Sequence, residues 1–163
     1  MQIENWNRKE KKAFFEKIKE SYGFNDKLTE ELINNQYFSI GKDKMRRFSG
    51  NLDLKNFIGI NKQLNVQNIG IYFATTEQGF LRLSFDFLTI YGKHATKNII
   101  VLDEEQREAW IEGYEIKLTE EQNKKISGNC IIVQDLKGDI LGSGFLKNEM
   151  LLNYLPKEIR NSI

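Results

Sequence analysis

Residues 128–144 read Gly-Asn-Cys-Ile-Ile-Val-Gln-Asp-Leu-Lys-Gly-Asp-Ile-Leu-Gly-Ser-Gly, and the folding of this stretch decides the class of the whole chain. An apolar, β-branched run over Asn129–Asp135 meets the turn residues Lys137-Gly138-Asp139, and a second apolar run, Ile140–Lys147, follows. Gly and Asp supply the backbone freedom that a tight reversal needs, so the two runs read as paired strands. Met150–Leu152 is short enough to add a third.

Upstream of this hairpin, Asn98–Leu102 is another compact β run. Asp103 follows it as a helix N-cap, and Gln106 three residues on completes a capping-box pattern. The helix over 103–112 stops at Gly113, Tyr114–Leu118 resumes a strand, and Thr119 with Gln122 repeats the cap signal for a short turn. Short strands, polar turns and one early helix predict a small closed β-barrel in the C-terminal half.

The N-terminal half has a different rhythm. Phe14, Phe15, Ile18 and Tyr22 recur at helical spacing between Lys and Glu, which predicts an amphipathic helix over 8–22 ended by Gly23. A shorter helix starts near Asp26 and carries Leu28, Leu32 and Ile33. Tyr37–Ile40 and Met45–Phe48 are strand candidates around the turn Gly41-Lys42-Asp43-Lys44. One or two helical turns are expected within Asp53–Ile60. Val66–Ala74, with Gly70 inside it, reads as a strand that turns at Thr76–Gly79 into Phe80–Leu83. Ser84 then caps a helix to Tyr91, with Phe85, Leu88, Thr89 and Tyr91 on its apolar face and Gly92 as its stop. The fold class is therefore α+β, divided at 1–95 and 96–163, with the halves meeting near residues 93–97.

Composition narrows the chemistry. Hydrophobic residues make up 40% of the 163 residues, enough for a core. No apolar run reaches the roughly 20 residues that span a bilayer, so a cytoplasmic protein without a membrane partner is expected. One Cys and one His fall short of a zinc ligand set, and no Gly-rich loop opens a helix after a strand, so neither metal nor cofactor is expected. The same scarcity speaks against an enzyme. Residues 103–121 hold eight acids against Arg107 and Lys117, net −6, which leaves +7 for the rest of a chain whose total is +1. A neutral total thus conceals a basic body, which is the local charge a polyanion meets.

The order strand, acidic helix, Gly, strand, glycine-bearing hairpin resembles the PUA domain, an RNA-binding module. Gly128–Asp135 followed by Gly138-Asp139-Ile140-Leu141-Gly142-Ser143-Gly144 looks like its central strand pair. The ending Leu146-Lys147-Asn148, then Leu155-Pro156-Lys157-Glu158-Ile159-Arg160, resembles the PUA-like tail of Sun-type RNA 5-methylcytosine methyltransferases. The methyltransferase portion itself is missing, and Cys130 does not follow a proline as that family's nucleophile does. Gly70–Phe73, Phe80–Leu88 and Trp110–Ile116 are similar to a ribosome-assembly factor family that joins a pre-PUA α/β domain to a PUA domain. Both families point to an archaeal source.

These resemblances imply a pre-PUA-like α/β half packed on a PUA-like barrel. They also imply a non-catalytic RNA-binding protein for rRNA or tRNA, acting in ribosome assembly or RNA modification. An RNA methyltransferase or a ribosome-assembly protein is the implied protein partner. The rival expectation is a protein–protein adaptor on the same scaffold. Candidate RNA-binding residues are Lys147, Lys157 and Arg160 for phosphate, Asn148 for hydrogen bonds and Tyr154 as a stacking ring. Arg46 and Arg47 belong to a dense basic hairpin that either extends the RNA path or is a solvated charged turn. Gly142 and Gly144 read either as places where backbone approaches RNA or as a bulge and corner that let a small barrel close. The acids of 103–112 read as a solvated helix face, and Trp110 as core.

Overall fold

In the computed structural model, residues 3–40, 44–53, 56–57, 59–60, 69–77 and 79–160 are described. Strand β8 (Cys130–Gln134) shows how the chain is organised, because all four residues of its apolar run are buried. Side chains alternate across a strand, so such a run needs cover on both faces. Cys130 and Ile132 enter one core with Phe15, Ile18, Tyr22 and Phe73; Ile131 and Val133 enter another with Leu102, Trp110 and Leu151. The C-terminal sheet is thus a wall shared by two cores.

The first core belongs mainly to the N-terminal half. Helix α1 (Arg8–Tyr22) begins in an Asn7/Glu10 capping box and ends with Gly23 at φ 69, and it buries the four expected apolar residues. Helix α2 (Asp26–Ile33) is capped by Asn25. Both lie against a five-stranded antiparallel sheet ordered β1-β2-β3-β4-β5, comprising Ile3–Asn5, Gln36–Ile40, Lys44–Phe48, Ile71–Glu77 and Phe80–Leu83. Helix α3 (Phe85–Tyr91), capped by Ser84, packs on this core and leads into a 3₁₀ turn over Gly92–His94. The rings of Phe15, Tyr37, Phe73 and Phe87 meet at centroid distances of 4.5–5.7 Å.

The second sheet runs β6-β8-β9-β10-β7, comprising Ile99–Val101, β8, Ile140–Lys147, Met150–Asn153 and Ile116–Lys117. Strand β6 is parallel to β8 and the other pairs are antiparallel. Helix α4 (Glu104–Glu112) covers one face through Trp110, whose indole N–H donates to the Leu141 carbonyl at 3.0 Å. Both expected capping boxes form, at α4 and at α5 (Glu120–Lys124). Their third residues, Gln106 and Gln122, bond each other, and Gln122 Nε2 also donates to the Val101 carbonyl at 3.0 Å. The expected closed barrel is therefore a curled sheet with an open ladder: β6 and β7 are its two edges, and helix side chains fill in beside β6.

Other expectations need correction. Strand β1 was not foreseen. Gly70 precedes β4 with φ 63 instead of lying within the strand, because its Cα hydrogens face the Arg47 carbonyl and no Cβ fits there. Helix α3 buries Phe87 and Leu88, whereas Thr89 is exposed. Residues 56–57 and 59–60 are helical; 41–43 and 66–68, which belonged to an expected turn and strand, lie outside the described residues.

Residues 96–98, between the two sheets, are tied to the end of α1. The amides of Thr96 and Lys97 both donate to the Tyr22 carbonyl at the end of α1. Asn98, at φ 53 and buried, donates from Nδ2 to the Ser21 carbonyl at 2.7 Å and accepts at Oδ1 from the Ser127 and Gly128 amides. Asn tolerates the left-handed region better than other residues and brings both a donor and an acceptor to the joint.

Candidate nucleic-acid interface

The β9–β10 hairpin turns through two residues, Asn148 and Glu149, at φ 50 and φ 65. That is the type I′ geometry, whose twist matches that of the flanking strands. It holds Lys147 and Asn148 at the rim of a cleft of about 780 Å³. Helix α5, fixed by its capping box, contributes Glu120, Asn123 and Lys124; Asn129 comes from the start of β8 and Phe80 from β5. The cleft is thus built from both halves of the chain.

Its polar groups differ in how they are engaged. Asn129 Nδ2 donates to the Leu146 carbonyl at 3.0 Å. Among the described residues, the side chains of Asn123, Lys124, Lys147 and Asn148 have no hydrogen-bond or ion-pair partner. Phe80 is 43% exposed, and its ring meets that of buried Phe145 edge-on at 5.8 Å. Two cations face two acids, Glu120 and Glu149, so the cleft has no net charge.

The remaining expected residues do not gather around this cleft. Lys147 and Asn148 lie at one end of β10, and Lys157 and Arg160 follow its other end, roughly 10 Å away along the strand. Lys157 is exposed. Arg160 serves the fold: its Nε donates to the Leu155 carbonyl, and its guanidinium occupies the space where a side chain at Gly113 would go. That places a cation at the C-terminal end of α4, where the helix dipole favours it. Tyr154 is half-buried beneath Arg82, whose guanidinium carbon lies 4.3 Å from the ring centroid.

Gly142 and Gly144 are buried. A Cβ on Gly142, at φ 119, would touch Leu155 and Phe85, and one on Gly144 would lie 2.7 Å from Leu151 and 2.9 Å from the Leu152 carbonyl. Close packing against β10 and the following segment accounts for both glycines.

Arg46 and Arg47 sit on opposite faces of β3, as alternation requires. Arg46 Nη1 donates to the Gly70 carbonyl at 3.2 Å. Arg47 Nη2 donates to Asn35 Oδ1 at 3.1 Å, and its guanidinium lies 5.3 Å from the Tyr91 ring. Both arginines thus have work inside the first half, and neither lines the cleft.

The fold recurs in an archaeal protein. A hypothetical protein from the hyperthermophile Pyrococcus horikoshii OT3 has a solved structure that matches 99% of this chain and 87% of its own, with a TM-score of 0.55 at 10% identity. At that identity the likeness is one of fold. No family model matches the chain, and no curated protein matches it.

Of the residues lining the cleft, the sequence singles out Lys147 and Asn148 but not Phe80, Asn123, Lys124 or Asn129. The Thr119/Gln122 cap places α5, and a cation in the last turn of that short helix was the available signal for Lys124. Phe80 gave none, because only the packing of β5 beside β8 brings it there. Among the described residues no group of three His, Cys, Asp or Glu side chains could hold a metal ion, and no helix is long and apolar enough to cross a membrane.

Proposed function

We propose that this chain is a non-catalytic RNA-binding protein in which a pre-PUA-like first half and a PUA-like second half together hold rRNA or tRNA at a single-stranded element. The observation that carries this reading is the cleft at the β9–β10 hairpin, where unengaged lysines and asparagine amides surround an exposed ring. Cations meet phosphates, amides meet base edges and rings meet unstacked bases, so this set of side chains fits RNA better than a small metabolite. The exposed acids of α4 lie outside the cleft and would repel phosphate, which restricts the approach to this side. Resemblance of the tail, Leu146-Lys147-Asn148 and Leu155–Arg160, to that of RNA methyltransferases supports a role in RNA modification or ribosome assembly.

The test is titration against rRNA and tRNA fragments at two salt concentrations, with Lys124→Ala/Lys147→Ala/Lys157→Ala beside the wild type. Counterion release makes the expected affinity fall steeply with salt, and the triple variant flattens that slope. Wild-type binding without a salt slope would favour the adaptor reading, for which Tyr114, 63% exposed, and Leu136, 70% exposed, are the supporting features.

A further inference from the structure

We infer that the cleft takes one unpaired nucleotide of an RNA, with its base on the Phe80 ring and its phosphate between Lys124 and Lys147. The inference rests on the RNA-binding reading above and gives that reading a specific ligand geometry. Phe80 opens β5 directly after Gly79, and its edge contact with Phe145 fixes the ring while leaving it 43% exposed. A fixed, exposed ring offers a π face, which only an unstacked base can use. The cleft volume of about 780 Å³ falls among ligand sites, which run to roughly 300–1,000 Å³.

Around the ring, the Asn123 and Asn148 amides each present a donor and an acceptor without an internal partner, as the edge of a base requires. The charges limit the occupant to a single nucleotide. Glu120 and Glu149 offset Lys124 and Lys147, so the cleft does not attract a run of phosphates by charge alone. Beyond Phe80 the surface continues along α1 past Lys17, Glu20 and Glu10, where acids outnumber cations. A strand would not follow that path, and its neighbouring nucleotides must leave toward solvent.

The experiment compares a hairpin RNA carrying one bulged nucleotide, the same stem fully paired, and adenosine monophosphate. Phe80→Trp places an indole on the platform, and the wild type supplies the background from Trp6 and Trp110. Bulged RNA should quench the new fluorescence at least tenfold more tightly than the paired stem or the mononucleotide. Phe80→Leu, which keeps an apolar contact with Phe145, and Phe80→Ala should each lose roughly tenfold in affinity for the bulged RNA, as removal of a stacking platform does. Their unchanged circular dichroism would show that folding is not the cause.

If Phe80→Leu and Phe80→Ala bind bulged RNA within twofold of wild type while the lysine variant loses its salt slope, the nucleotide pocket is overturned and RNA binding stands. Equal affinity for adenosine monophosphate and bulged RNA overturns the RNA-borne ligand. If the wild type binds no RNA at all, both readings fall.

Discussion

The Arg82 guanidinium of β5 covers the ring of Tyr154, which follows β10, at 4.3 Å from its centroid, and so joins the two halves of the molecule by a cation–π contact. One face of that ring is already occupied. A double-mutant cycle with Arg82→Met and Tyr154→Leu, measured by urea unfolding, should give a coupling of about 1 kcal/mol, since the pair is only partly exposed. Tyr154→Leu should lower stability yet leave RNA affinity within twofold. A tenfold loss of RNA binding in that variant would return the stacking role to Tyr154.

Asp135 is the buried anchor of the β8–β9 turn. Its Oδ1 accepts from the Lys137 and Asp139 amides, both at 2.9 Å, and its Oδ2 lies 3.6 Å from Arg107 Nε of α4. Asp135→Ala removes charge-assisted bonds and leaves Arg107 without this partner, so it should cost about 2 kcal/mol. Asp135→Asn keeps an acceptor for the turn and should cost about half as much. Equal losses in the two variants would mean that the charge pair, not the turn, dominates.

The residues legible in the sequence are those whose partners lie within a few positions. Asp103 with Gln106, Thr119 with Gln122, and Gly23 and Gly113 in the left-handed region all carry local signals, and each took its expected place. Strand β1 has no such signal; its partner is β2, and Asn5 pairs with Phe38 across the intervening helices. The site shows the same division. Lys147 and Asn148 stand together because a hairpin places its own tip, whereas Phe80 reaches the cleft only through packing between the halves. Tyr154 and Arg160 read as RNA contacts in the sequence, but both are half-buried, and Arg82 and the bare backbone of Gly113 engage them from distant parts of the chain. No local pattern encodes such a partner.

Glu149 holds the second position of the type I′ turn at φ 65, a conformation that costs a non-glycine residue roughly 1 kcal/mol. Glu149→Gly should therefore stabilise the protein by up to about 0.5 kcal/mol, after the greater freedom of glycine in the unfolded chain is counted. At this chain length the melting temperature should rise by roughly 2–4 °C per kcal/mol. The same change removes an acid from the cleft rim, so RNA affinity should rise, most clearly at low salt. A lowered melting temperature would show that the Glu149 side chain contributes more than its backbone costs.

Alkaline pH offers a separate probe of the first core. Burial pushes the Tyr22 and Tyr37 phenols well above the ordinary tyrosine value of 10.0, and for Tyr37 it outweighs the opposing charge of Arg47. Their hydroxyls donate to the Leu81 carbonyl at 2.7 Å and the Leu32 carbonyl at 2.9 Å. Above about pH 10 the unfolded chain releases these protons while the folded protein retains them, so unfolding gains free energy as pH rises. The stabilising contribution is complete below about pH 10 and is lost above it. Lys19, whose pKa is raised by its hydrogen bond to Asp26, acts in the same direction. Tyr22→Phe/Tyr37→Phe should cost about 1 kcal/mol per hydrogen bond at pH 7 but flatten the decline of the urea midpoint between about pH 10 and 11.5. The slope that remains in the double variant measures Lys19. An unchanged slope would mean that the phenols already reach solvent through local opening of α1 before the protein unfolds.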